Sequence, residues 1–240
     1  MRKKLFFSLA LSPTILVTPL VVSCTDTEGK KTKELNKENL NKYANLFYEI
    51  QLEYQKLNPN TPILEGRKVN EVFVELVDKL LETASTVEQG EEFAKYTKET
   101  ITYSINVAIE EYLPLYTKII NEAKKNSNLD ILTILKKQEN KDYWLKVQKN
   151  VINKLRDYTK KTKDRLTNIM VDVELKTNPK ASKSELLKQY KILYNDTTID
   201  AQYDLIFKNF EYSLNLILSN ENNDINQIIN TLLSSISSVS

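Results

Sequence analysis

Few residues in this chain could do chemistry. Its 240 residues include no histidine and one cysteine, Cys24. Histidine is the commonest general base and metal ligand, so Ser-His-Asp and Cys-His arrangements cannot form here. Zinc sites built on His and Cys are not expected either. Carboxylates are plentiful, and three pairs stand close in sequence: Glu91/Glu92, Glu110/Glu111 and Asp200/Asp204. A two-carboxylate hydrolase needs its acids to face each other across a cleft. Adjacent residues on a helix point in different directions, and a single i,i+4 pair is a weak signal. Solvated helix faces are the expected reading of all three pairs. The Glu-x-x-His signature of di-iron bundles is absent, as are phosphate and dinucleotide loops. The segment from Asn220 to Asp224 is rich in oxygen ligands but lacks the glycine and spacing of a calcium loop. The expectation is a chain without catalytic activity, metal or cofactor.

The candidate binding residues are cations. From Lys136 to Arg165 eleven basic residues stand against four acids, whereas Glu71 to Glu122 holds eleven acids and four lysines. Asp196 to Ser240 adds six acids against one lysine. Two readings follow. A basic helix packed between acidic ones would gain rim ion pairs, each contributing about 0–1 kcal/mol. Alternatively, Lys160, Lys161, Lys163 and Arg165 form a face for a polyanion, whose affinity would fall steeply with salt. The thirteen tyrosines are expected to line the core, including the i,i+4 pairs Tyr112/Tyr116 and Tyr190/Tyr194.

The N-terminus has the form of a secretory signal. Arg2, Lys3 and Lys4 precede an apolar stretch from Leu5 to Val22 that Pro13 and Pro19 interrupt. A removed signal fits better than a permanent span. The stretch ends in Val21-Val22-Ser23-Cys24. This resembles the lipobox of bacterial lipoproteins, with Val21 where the family usually has Leu. The resemblance covers about a tenth of the chain. It implies that Cys24 is linked to diacylglycerol and becomes the first mature residue. Two or three acyl chains anchor stably where one does not, at about 0.8 kcal/mol per buried CH₂. Cleavage would remove Arg2, Lys3 and Lys4 and no acid, so the formal charge of +2 becomes −1. That balance does not support a specific nucleic-acid binder. Thirty lysines against four arginines, with 24 asparagines and 20 isoleucines, suggest an A/T-rich genome. Together with the lipobox, this is similar to the surface lipoproteins of mollicutes.

The rest of the chain must position whatever functions. Residues 24–38 are polar and read as a tether. From residue 39 to 240 apolar residues recur every three or four positions. One stripe is Leu40, Tyr43, Phe47, Ile50, Tyr54 and Leu57, ended by Asn58 to Pro62. A second runs from Val69 to Val87, with Gly90 as its expected C-terminal stop. A third runs from Phe93 to Ile119, where Pro114 should kink or split it. A short segment from Leu129 to Leu135 follows, with Asn128 as its candidate cap. The clearest stripe runs from Trp144 to Val173 in eight steps of 3.6 residues. Ser182 and Glu185 match a capping box for a sixth helix with Leu186, Tyr190 and Leu193 inward. Ile199 to Ile217 and Ile225 to Ile236 complete the series. No run has the two-residue period of a strand. The expected fold is all-α, a single bundle of seven or eight helices behind a signal peptide (1–23) and tether.

These readings converge on an expectation of a lipid-anchored protein on the outer face of a cell membrane. Its helical domain would bind a host surface protein or a polyanion. The alternative is an accessory or solute-capture lipoprotein of a transport system. Scarce glycine and the missing strands count against the usual two-lobed solute binders.

Overall fold

The computed structural model describes residues 34–57, 68–85, 90–125 and 131–219. The signal-like run, Cys24, Asn58 to Pro62, Asn128, Asn220 to Asp224 and the Ile225–Ile236 stripe lie outside them. The described residues are 92% helical, with seven helices and no strand. In chain order they are α1 (Lys37–Leu57), α2 (Val69–Ser85), α3 (Glu91–Lys125), α4 (Ile131–Lys136), α5 (Gln138–Thr177), α6 (Lys183–Leu193) and α7 (Asp196–Ser219).

Two long helices make the frame. α3 has 35 residues and α5 has 40, and they pack along each other. α1 and α2 lie on α3; α6 and α7 lie on α5; the short α4 bridges α3 and α5. The 3.6-residue stripes account for the packing. Leu115, Ile119 and Ile120 of α3 meet Val151, Ile152 and Leu155 of α5 in one core, which Leu40 and Tyr43 of α1 and Ile199 and Leu214 of α7 close from either side. Fully burying each such side chain contributes about 1.5–3 kcal/mol. Aromatic contacts cross every layer. Tyr43 lies 5.8 Å from Tyr116, Tyr116 lies 6.2 Å from Trp144, and Trp144 lies 6.4 Å from Phe210. A smaller core of Phe93, Tyr96, Leu166 and Ile169 forms at the other end of the frame.

Several local expectations need correction. Of the two expected effects of Pro114, the split does not occur: α3 continues unbroken to Lys125. The ring is exposed, and the next turns carry four buried side chains, Leu115, Tyr116, Ile119 and Ile120. Their burial outweighs the roughly 3 kcal/mol that proline costs inside a helix. Gly90 does not stop α2; it starts α3. Its φ is 119°, a conformation that favours glycine, and its carbonyl accepts from Ala94 N–H at 3.0 Å. The capping box at Ser182 is not made. That hydroxyl lies 3.0 Å from Ser184 Oγ instead, and Glu185 N–H bonds the Ser182 backbone carbonyl. Leu193 is half exposed rather than inward, because α6 buries Leu186 alone.

The packed unit also starts earlier than residue 39. Leu35 packs on the main core. Asn36 N–H donates to Asn106 Oδ1 at 3.0 Å, and Asn106 Nδ2 donates to the Glu34 carbonyl at 2.9 Å. Asn36 then caps α1 by accepting from Asn39 N–H at 3.0 Å.

Candidate functional site

The four nominated cations do not share a face. Residues one apart on a helix differ by about 100° in direction, so a run in sequence disperses around the axis. Lys160 and Lys163 point to α7, where Lys160 Nζ meets Asp200 at 2.7 Å and Lys163 Nζ meets Asp196 at 2.6 Å. One turn earlier Arg156 reaches Asp204 at 2.6 Å and Asp200 at 3.8 Å. Arg165 points the other way, to α3. Its Nε donates to Glu92 at 2.7 Å and its Nη1 to Glu99 at 2.9 Å. Lys161 is exposed, with no ion pair among the described residues.

Other cations bind α3 in the same manner. Lys154 lies 2.7 Å from Glu111 and 3.9 Å from Glu110, and Lys137 pairs with Glu122. The electrostatics follow. Hydrogen bonding from Lys163 holds the Asp196 carboxyl below its usual range. Lys137 does the same for Glu122. The bond to Glu111 raises Lys154. Burial works against the Arg165 charge, and the bonds to Glu99 and Glu92 outweigh it.

These pairings also decide what the carboxylates can do. Glu92 is held by Arg165, Glu110 and Glu111 by Lys154, and Asp200 and Asp204 by Arg156. A carboxylate engaged in an ion pair at a helix seam is not facing a second acid across an open cleft, as a two-carboxylate hydrolase needs. Among the described residues no cluster of three or more His, Cys, Asp or Glu could hold a metal ion. The Tyr112 hydroxyl donates to Gln148 inside the core. Tyr190 and Tyr194 stack with ring centres 6.0 Å apart, and Tyr194 packs on the smaller core.

One concave surface was not singled out from the sequence. An open groove of about 640 Å³ runs between α1 and α2. Asn45 and Asn70 line it from either side, bonded to each other at 2.9 Å, with Glu71, Glu75, Asp78 and Glu82 along α2. The signal was present: positions 71, 75, 78 and 82 are spaced to fall on one helical face. Lysines answer part of this charge, with Lys68 at 3.4 Å from Glu71 and Lys37 at 3.9 Å from Asp78.

Comparison with protein-family models, curated proteins and solved structures found no significant match. No described helix is long and apolar enough to cross a membrane.

Proposed function

We propose that this chain is a lipid-anchored surface protein whose helical unit binds a protein partner and catalyses no reaction. The observation that carries the binding reading is the ion pairing of the frame. The acids and bases with the most suggestive spacing hold helices together: Arg156, Lys160 and Lys163 of α5 pair with acids of α7, and Lys154 and Arg165 of α5 pair with acids of α3. That leaves surfaces, rather than a reactive centre, as the working parts. The same pairing favours a protein partner over a polyanion, which would have to displace carboxylates already 2.6–2.9 Å from their cations. The anchor reading rests on Cys24, the sole cysteine, placed after a basic start and an apolar run.

The test is binding of the full chain to host cells and to immobilised heparin across a salt series. Saturable cell binding that persists at high salt, with weak heparin retention, is the expected result. Saturable heparin binding abolished by salt would replace the protein partner with a polyanion. Absence of cell binding, with a permease co-purifying from the source membrane, would move the protein to transport.

A further inference from the structure

We propose that α6 lies against a membrane of anionic lipids, with Ile192 entering the headgroup region and lysines around it meeting the phosphates. The inference goes beyond the function above and does not require a lipid on Cys24.

The charge of α6 contrasts with that of its neighbours. On α5, Lys154, Arg156, Lys160, Lys163 and Arg165 are answered by acids of α3 and α7. From Lys176 to Tyr194 five lysines stand against a single acid, Glu185. Lys183 makes one long pair with Asp172 at 3.7 Å. Lys180, Lys188 and Lys191 are exposed and have no ion pair among the described residues. The inner side of α6 is accounted for: Leu186 is buried, and the Tyr190 hydroxyl donates to Glu174 at 3.3 Å. The outer side is unusual. Ile192 is 68% exposed and Leu193 49%. Lys188 precedes Ile192 by one helical turn, and Lys191 and Leu193 flank it on either side. Asn195 fixes this tip, donating to the Ile192 carbonyl at 2.6 Å and accepting from Thr198 N–H at 2.9 Å.

Branched apolar side chains beside the unpaired Lys188 and Lys191 fit an interface between anionic headgroups and acyl chains. Lysine stems cover apolar surface while their ammonium groups stay among the phosphates. An acidic or purely apolar partner would use only half of this face. At eleven residues, α6 is too short to span a bilayer, so it would lie in the surface.

The experiment uses the full chain with Cys24→Ser, which frees the cysteine position for Ile192→Cys carrying an environment-sensitive fluorophore. It is reconstituted with vesicles of phosphatidylglycerol and phosphatidylcholine, or of phosphatidylcholine alone. Leu205→Cys serves as control, since Leu205 is also exposed but lies on α7, which carries four acids and one lysine. The expected result is a blue shift and lipid quenching at position 192 on anionic vesicles only. Lys180→Glu/Lys188→Glu/Lys191→Glu should remove it, as should salt at about 0.5 M, where the screening length is only a few ångströms. Position 205 should stay in water. No shift at 192, or an equal shift on neutral vesicles, overturns the proposal. A shift without vesicles that grows with protein concentration also overturns it and assigns the face to a second copy of the chain.

Discussion

Arg165 shows how a single residue can look like a binding group and act as a fastener. It holds Glu92 and Glu99 of α3, and its guanidinium lies 5.4 Å from the centre of the Tyr96 ring. Removing it with Arg165→Ala should lower stability by about 1 kcal/mol, read from the urea midpoint at unchanged slope. Loss of a ligand with no loss of stability would return Arg165 to the binding surface. Tyr203 gives a prediction at high pH. Burial pushes its hydroxyl up to about 12, and it lies 2.7 Å from Thr159 Oγ1. Between the ordinary tyrosine value near 10 and about 12, the unfolded chain releases this proton and the folded chain keeps it. Stability should therefore fall as pH rises through that window, by up to about 1.4 kcal/mol per unit. Tyr203→Phe should flatten the slope. The sequence identified these residues as cations and a core tyrosine. It could not pair them, because Arg165 and Glu92 are 73 positions apart and only the packing of α3 on α5 brings them together.

Elements were legible wherever one periodic signal dominated. The stripes beginning at Phe93 and Trp144 mark α3 and α5 because both helices bury one continuous face. Reading failed where two local rules competed with tertiary packing. Pro114 is a helix breaker by itself, yet buried neighbours on both sides carry α3 through it. Pro114→Ala should therefore restore a missing hydrogen bond without repacking anything. A gain of about 1–3 kcal/mol is expected, after subtracting the chain entropy that proline removes from the unfolded state. A thermal melt checks this, and a decrease in stability would show that α3 is better served by proline than by alanine at this position. Gly90 was read as an ending because glycine favours helix C-termini. Its positive φ serves a start instead, and sequence alone does not say on which side of a glycine the helix lies. The length of α6 misled in another way: with three turns and one buried residue, periodicity has too few points to say which side faces in.

At the scale of the whole molecule, two acidic layers close on a basic long helix. Stability of the frame therefore depends on ionised carboxylates. Asp196 and Glu122 have lowered values in the folded state, so their contribution is present above the ordinary carboxylate range and is lost as pH falls below it through the lowered folded values. The thermal midpoint should drop between about pH 5 and pH 3 and should also drop with added salt at neutral pH. A midpoint indifferent to both would mean that the apolar core alone holds the layers. The same scale carries the claim on which the proposed role depends, that the bundle is held at a membrane by lipid. The direct test is labelling with radioactive palmitate in a bacterium expressing the chain, beside Cys24→Ser. The account predicts label in the parent chain, none in the variant, and loss of residues 1–23 from the parent alone. Label that persists in Cys24→Ser, or a parent chain that loses residues 1–23 and carries no label, would contradict it.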